Sequence, residues 1–130
     1  MEEDVIVITP LLQAKETLDA ALVSASDDLH RDGCIQRFEY CYELAWKTMK
    51  RFLKAKEIIV HGPKDTFRQA AIVGYIDDPE KWFHFIEMRN STVHTYNKKI
   101  AVAIFNDLSL FQSELEKLIR NLQADEKNPR

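Results

Sequence analysis

Apolar residues recur at three- and four-residue steps along most of the chain, which is the spacing of one face of an α-helix. The strongest such stripe predicts a long helix that opens near Asp32 and Gly33. Its apolar members are Ile35, Phe38, Cys41, Tyr42, Ala45, Trp46, Met49, Phe52 and Leu53. A last stripe with the same period begins at about Lys99 and ends near Leu122. The pattern therefore predicts long helices that each bury one face.

Prolines and capping side chains mark where helices start. Thr9-Pro10 and Asp78-Pro79 each place a capping oxygen before a proline at the first helical position. Between them, His61-Gly62-Pro63 interrupts the apolar period. These signals divide the chain into four substantial helices and one short one, joined by short connections. We therefore predict an all-α fold, an antiparallel four- to five-helix bundle.

The length and composition of the chain predict a single domain. It has 130 residues, of which 45% are hydrophobic, and its 3 glycines and 4 prolines are too few for the many turns of a β-sandwich. We assign residues 1–123 to one helical bundle domain, in which residues 1–8 form an N-terminal extension. Residues 124–130 are predicted to be a flexible tail, since residues 125–130 include no apolar side chain.

The charge of the chain is unevenly distributed. The net charge is −3, which argues against a nucleic-acid binder that relies on overall basicity. Residues 47–68, however, hold seven basic and two acidic side chains. The candidates for an RNA-binding surface are Lys47, Lys50, Arg51, Lys54 and Arg68. A solvated helix face would have the same composition, so both interpretations stay open.

Nothing in the chain predicts a membrane span, a secretory signal or a metal site. The longest uninterrupted apolar stretch, Ile100 to Phe105, is far shorter than the roughly 20 residues that cross a bilayer. The acidic start, Met1 to Asp4, lacks the basic flank of a secretory signal, so we expect a cytoplasmic protein. The histidines and cysteines do not stand at metal-ligand spacings, and we predict no metal and no cofactor. Cys34 and Cys41 are expected to be reduced packing residues.

One segment combines the groups that phosphodiester cleavage needs. It runs from Arg89 to Tyr96 and also contains His94. An arginine can bind phosphate through two donors, and a histidine titrates near neutral pH. Metal-free cleavage of RNA needs a base for the ribose 2′-hydroxyl proton, an acid for the leaving oxygen and a cation for the charge on phosphorus. Because a five-residue step turns a helix by about 140°, Arg89 and His94 share a face only if the helix ends or loosens between them.

A structural role for the same side chains is the alternative interpretation. The arginine and the histidine would then cap carbonyl groups at a helix end or pair with an acid such as Glu87. Two further acids, Glu39 and Glu43, lie one turn apart on the long predicted helix and are expected to pair with Lys47. The aromatic residues of the apolar stripes are expected to pack in the core or in a dimer interface.

Three runs of residues carry a family resemblance. They are Phe38-Glu39-Tyr40-Cys41-Tyr42-Glu43-Leu44-Ala45-Trp46-Lys47, the link His61-Gly62-Pro63-Lys64-Asp65, and Arg89-Asn90-Ser91-Thr92-Val93-His94-Thr95-Tyr96-Asn97. Together with the order of the helices, they resemble the nucleotidyltransferase substrate-binding protein family, which belongs to the HEPN superfamily. The resemblance covers roughly residues 10–122, which is nearly the whole chain.

The resemblance implies a helical homodimer that assembles with a minimal nucleotidyltransferase as a toxin-antitoxin pair. The helical chain would be a metal-independent ribonuclease in which Arg89 holds the scissile phosphate, His94 acts as general base or acid, and Asn90 supports them. Tyr96 would accept AMP from the nucleotidyltransferase, which silences the ribonuclease. The alternative is a non-catalytic substrate-binding subunit of a two-component nucleotidyltransferase. The chain itself lacks the Gly-Ser and Asp-x-Asp signature of the partner enzyme, so it is not expected to be the nucleotidyltransferase.

Overall fold

The computed structural model describes residues 8–24 and 27–127. In chain order the helices are α1 (Thr9–Ser24), α2 (Asp28–Ala55), α3 (Pro63–Val73), α4 (Pro79–Ser91), a 3-10 turn (Thr92–His94), α5 (Lys98–Asn106) and α6 (Leu108–Lys127). Only Asp107 separates α5 from α6, and together they occupy the place of the single last helix expected from the sequence. Counted so, the described residues form five α-helices and no strands, which confirms the predicted all-α antiparallel bundle. None of these helices is long and apolar enough to cross a membrane.

The starts of α1 and α2 differ from the sequence prediction. The first helical residue is Thr9 rather than Pro10, because the carbonyl oxygen of Ile8 accepts the first backbone hydrogen bonds of α1. Ile8 is buried with the core, so this residue of the predicted extension belongs to the bundle, while residues 1–7 lie outside the described residues. The long helix α2 begins at Asp28, not near Asp32 and Gly33, since the side chain of Asp27 accepts a hydrogen bond from the backbone N–H of His30 at 2.9 Å.

An aromatic cluster joins four helices at the centre of the bundle. The ring of Phe111 on α6 lies 4.8 Å from that of Phe38 on α2 and 5.1 Å from that of Phe85 on α4. Trp82 on α4 lies 5.0 Å from Phe85 and 5.2 Å from Phe67 on α3. All five rings are fully buried, and their edge-to-face and tilted contacts are the favourable geometries for aromatic pairs. The cluster therefore fixes α4 against α2 and α6.

Residues close to each end of α4 determine where this helix begins and ends. Asp78 caps the helix by accepting a hydrogen bond from the N–H of Glu80 at 2.9 Å, and Pro79 is the first helical residue, as predicted. After Ser91 the chain tightens into the 3-10 turn, and Asn97 then caps α5 through the N–H groups of Lys99 and Ile100. The residues from Thr92 to Asn97 therefore lie outside any continuous α-helix.

The last helix continues past the predicted domain boundary. α6 ends at Lys127, whereas the sequence predicted a tail from residue 124. The reason is tertiary: Asp125 accepts a hydrogen bond from the hydroxyl of Tyr75 at 3.1 Å and lies 3.1 Å from the ammonium group of Lys56. Residues 128–130 lie outside the described residues. The assignment of the chain to a single domain stays a prediction.

Candidate functional site

The helix that carries Arg89 ends before it reaches His94. Arg89 lies in the last turn of α4, and His94 is the last residue of the 3-10 turn that follows. The sequence analysis required that the helix end or loosen between these two side chains if they share a role. The structure meets this condition. Asn90 is exposed next to Arg89 on the last turn of α4.

Carboxylates from another helix surround the guanidinium of Arg89. Nη1 lies 3.2 Å from Oε2 of Glu39, and Nε lies 3.5 Å from Oε2 of Glu43. The second contact is an ion pair without a hydrogen bond, so the buried Nε has no hydrogen-bond partner among the described residues. The sequence-based alternative named Glu87, and the acids that approach Arg89 are instead the two on α2.

The hydroxyl of Thr92 links this ion cluster to the 3-10 turn. Nη1 of Arg89 donates a hydrogen bond to Oγ1 of Thr92 at 3.0 Å. The single hydroxyl proton of Thr92 has two acceptors within reach, Oε2 of Glu39 and the carbonyl oxygen of Arg89. Thr92 is buried, with 8% of its surface exposed. It therefore ties the start of the turn that carries His94 to α2.

His94 and Tyr96 form an exposed pair beyond the turn. Nδ1 of His94 lies 3.3 Å from the phenolic oxygen of Tyr96, and the rings are 5.9 Å apart in an edge-to-face arrangement. Tyr96 is 85% exposed. Which of the two groups donates depends on the tautomer of the imidazole. In either tautomer Nε2 is the nitrogen left for a substrate.

Residues 8–124 match the protein family described as nucleotidyltransferase substrate binding protein like. The chain belongs to this family. It is 38% identical over 96 residues to a Haemophilus influenzae protein named probable ribonuclease HepT; the match covers 70% of this chain and 66% of that protein, slightly less than two thirds.

Solved structures share the fold. A Haemophilus influenzae protein, described as having the fold of a substrate binding domain of a nucleotidyltransferase, matches with a TM-score of 0.84 and 33% identity. That match covers 90% of this chain and 99% of the other. A Thermus thermophilus protein matches with a TM-score of 0.81 and 34% identity, over 86% of this chain and 98% of the other.

In this member of the nucleotidyltransferase substrate-binding family, the predicted RNA-binding residues lie on two helices. Four lie on α2: Lys47, Lys50, Arg51 and Lys54. The fifth, Arg68 on α3, stacks over the ring of Phe83 with its guanidinium carbon 5.7 Å from the ring centre. A cleft of about 630 Å³ lies beside Arg89, and none of the five lines it.

Sequence reasoning missed the role of the two acids on α2. Glu43 does lie near Lys47, with 3.8 Å between their charged atoms, as predicted. Glu39 instead contacts Arg89 and Thr92, which are about fifty positions away in the chain. The sequence feature that could have indicated this role is the spacing of four residues between Glu39 and Glu43, which puts both acids on one face of a helix.

The site offers its own cation for anionic groups. Within residues 8–24 and 27–127, no group of three or more His, Cys, Asp or Glu side chains could hold a metal ion. Arg89 is the guanidinium nearest in sequence to His94, and an arginine keeps its charge at any physiological pH. The arrangement therefore combines a fixed positive charge, a titratable imidazole and a phenol on one short segment.

Proposed function

We propose that this chain is a HEPN-type, metal-independent endoribonuclease. The observation that carries the proposal is the end of α4 between two groups: Arg89, whose buried Nε has no hydrogen bond among the described residues, lies in its last turn, and the exposed imidazole of His94 follows it. The similarity to a protein named probable ribonuclease HepT supports it. The roles assigned to individual residues are part of the proposal.

The proposed reaction is transesterification at phosphorus. The ribose 2′-oxygen attacks the neighbouring phosphorus as its proton moves to a general base, and the bond from phosphorus to the 5′-oxygen breaks. The leaving 5′-oxygen takes a proton from a general acid, so the products are a 2′,3′-cyclic phosphate and a 5′-hydroxyl. Arg89 holds the charged phosphoryl oxygens, and Asn90 supports it as a polar neighbour. His94 acts through Nε2 as the base or the acid.

One copy of the segment supplies a single histidine, whereas the reaction needs both a base and an acid. We propose a homodimer in which two copies of the segment face one cleft, so that each supplies one of these groups. In either copy, the hydrogen bond between Tyr96 and Nδ1 of His94 would select the tautomer and so decide whether Nε2 accepts or donates a proton.

We propose that a minimal nucleotidyltransferase is the partner and silences the ribonuclease, as in a cytoplasmic toxin-antitoxin pair. The phenolic oxygen of Tyr96 would attack the α-phosphorus of ATP, pyrophosphate would leave, and the phenolic proton would pass to a base of the partner enzyme. The product carries an AMP phosphodiester at an oxygen that lies 3.3 Å from Nδ1 of His94. Its negative charge and bulk would obstruct the position that the RNA phosphate must occupy.

Cleavage of RNA in excess chelator tests the ribonuclease. The purified, AMP-free protein should cut total tRNA and an unstructured RNA and leave 2′,3′-cyclic phosphate ends. Arg89→Ala and His94→Ala should each slow cleavage by about a hundredfold or more. His84→Ala is the matched control, because that exposed histidine pairs with Asp107 and belongs to another surface. Equal cleavage by His94→Ala and wild type would contradict the proposal.

The same protein, incubated with the nucleotidyltransferase and ATP, tests the silencing. Intact-mass analysis should show one added AMP on the wild type together with loss of cleavage. Tyr96→Phe should gain no mass. Tyr40→Phe, which removes the hydroxyl of another exposed tyrosine, should still be modified. An unchanged mass of the wild type would refute the role of Tyr96.

A non-catalytic substrate-binding subunit is the second candidate. The observation that favours it is the pair of carboxylates at Arg89, which offsets the charge that a phosphate would need. This candidate requires that folded, AMP-free protein cuts no RNA and forms a stable complex with the nucleotidyltransferase. Failure of the two proteins to associate in solution would count against it.

A further inference from the structure

A cleft of about 630 Å³ extends from α1 across α2 to Arg89. Its apolar lining includes Ala14 of α1 and Leu44 of α2. Its volume is within the range of small-molecule pockets, which are mostly apolar with a few convergent polar groups. Arg89 forms part of the wall, so the cleft adjoins the guanidinium that is proposed to hold the scissile phosphate.

Arg37 brings a second guanidinium into the cleft. Its Nη1 donates a hydrogen bond to the carbonyl oxygen of Gly33, one turn earlier, at 3.2 Å. No carboxylate of the described residues lies within ion-pair distance of it, in contrast to Arg31, which pairs with Asp28 at 2.8 Å, and to Arg89. Among the described residues, Arg37 therefore has no carboxylate to balance its charge and keeps spare donors on a partly apolar wall, which suits a phosphate.

An exposed aromatic ring lies one turn along the same face of α2. Tyr40 follows Arg37 by three positions, lines the cleft and is 52% exposed. A tyrosine ring in this setting is the usual platform for an unpaired base, and a guanidinium beside it suits the adjoining phosphate. The same helix face continues through Leu44 to the exposed side chains of Lys47 and Arg51, which extends the track with positive charge.

We propose that this cleft is a nucleotide subsite for single-stranded RNA. Arg37 contacts a phosphate next along the strand from the one on Arg89, and the ring of Tyr40 stacks on a base between them. The inference rests on the proposed ribonuclease function, to which it adds the path of the substrate. The chemical class of the ligand follows from the combination of an unbalanced cation, a flat ring and an apolar wall.

Charge complementarity favours RNA over a second copy of the chain as the occupant. In a twofold interface the same face would meet itself, so the Arg37 side chains would require acids from the same cleft. The acids available there, Glu39 and Glu43, already pair with Arg89. A polyanion supplies the missing negative charge without drawing on them.

Binding of a fluorescent 2′-O-methyl oligonucleotide of about ten nucleotides tests the subsite, because the blocked 2′-oxygen prevents cleavage. Arg37→Gln should weaken binding about three- to tenfold and lower the slope of log Kd against log salt by about 0.7, the loss of one phosphate contact on a single strand. Tyr40→Ala should weaken binding about tenfold, and Tyr40→Phe should restore it. Arg120→Gln, which removes an exposed arginine on α6, should change neither quantity.

Kinetics on cleavable RNA separates the subsite from the function on which it rests. If the protein cuts RNA, Arg37→Gln and Tyr40→Ala should raise KM with little change in kcat, since they remove binding shared by ground state and transition state. Cleavage with unchanged KM and Kd in both variants would refute the subsite and leave the ribonuclease intact. Absent cleavage with the expected losses in Kd would refute the ribonuclease and leave the subsite intact.

The oligomeric state tests the alternative that a second copy of the chain occupies the cleft. Light scattering on the same variants should show no change of mass in solution. Unchanged oligonucleotide affinity together with dissociation of an oligomer in Tyr40→Ala would make the cleft an interface between copies and overturn the proposal. The absence of any oligonucleotide binding by the wild type would overturn it as well.

Discussion

At the scale of single residues, Arg89 is a cation with competing partners. Its guanidinium is approached by Glu39 at 3.2 Å and by Glu43 at 3.5 Å, and its side chain is 31% exposed. An ion pair that is still in contact with solvent contributes only modest net free energy, so a phosphate with two charged oxygens can compete for this half-buried guanidinium. The carboxylates therefore hold the side chain in place and at the same time weaken its attraction for RNA.

The balance can be shifted at Glu43 while its hydrogen bond with Trp46 is kept. Glu43→Gln removes one negative charge beside Arg89 and keeps Oε1 as the acceptor for the indole N–H of Trp46, which lies 3.2 Å away. We expect RNA affinity to rise about two- to fivefold, the effect of removing a solvent-screened charge pair worth about 0.5–1 kcal/mol. Anisotropy titrations with the 2′-O-methyl oligonucleotide measure the change.

Glu116→Gln is the matched control for this gain. Glu116 pairs with Arg120 on the exposed face of α6 at 3.1 Å, so its replacement changes net charge by the same amount away from Arg89. Equal tightening in both variants would mean that net charge alone governs binding. Weaker binding by Glu43→Gln would mean that the carboxylate is needed to orient Arg89.

At the scale of elements, local signals predicted some helix ends and not others. The start of α4 follows from Asp78-Pro79, because both the cap and the fixed backbone angle of proline act within one turn. The start of α2 was misplaced because Gly33 suggested a break, although a glycine inside a long helix costs only about 1 kcal/mol, which the buried stripe of α2 offsets. The true cap, Asp27, is one of several acids that the sequence alone does not distinguish.

The partners of Arg89 could not be predicted for a related reason. The local candidate, Glu87, lies two positions away and therefore on a different side of the helix. The observed partner Glu39 is fifty positions earlier in the chain, and only the packing of α4 against α2 brings it near. The sequence thus identified the chemically unusual segment from its residue types, but not the groups from other helices that surround it.

The cap of α4 gives a test at this scale. Asp78→Ala removes the side chain that accepts the hydrogen bond from the N–H of Glu80, and should lower the free energy of unfolding by about 1 kcal/mol. The corresponding fall in Tm is about 3–5 °C, measured by circular dichroism. Asp77→Ala is the control, since its exposed carboxylate only approaches Lys117 at 3.8 Å and its loss should be within about 0.5 kcal/mol. Equal losses in both variants would refute the cap assignment.

At the scale of the whole molecule, the core and the candidate site are held by different groups. The central aromatic cluster unites α2, α3, α4 and α6 without any side chain of the Arg89–Tyr96 segment. Contacts far apart in sequence complete the bundle, such as the side-chain amide of Gln112 with Asp19 at 2.7 Å and that of Asn121 with the carbonyl of Tyr75 at 2.9 Å. Substitutions of the exposed His94 and Tyr96 should therefore leave global stability unchanged, which makes their effects on activity interpretable.

The two cysteines report on that global stability. Cys34 and Cys41 are unpaired and fully buried, and removal from water raises the pKa of the Cys41 thiol to about 12. Only the thiolate attacks a disulfide reagent, so a thiol whose pKa is raised in this way reacts slowly at pH 8. Burial also raises the pKa of the Cys34 thiol, and neither thiol is accessible in the folded bundle, so both should react with such a reagent only when the bundle opens.

Labelling at pH 8 should accordingly be at least roughly a hundredfold slower in the native protein than in urea. Ser109→Cys, at an exposed position of α6, is the control and should gain one thiol that reacts at once while the two native thiols stay protected. The cysteines become accessible only if the buried stripe of α2 is exposed, and this also breaks the contacts of α2 with α4. The labelling rate should therefore rise with denaturant concentration in parallel with the fraction of globally unfolded protein. Fast native labelling of either cysteine would show that α2 opens locally, and the fixed relation of Glu39 to Arg89 would then not hold in solution.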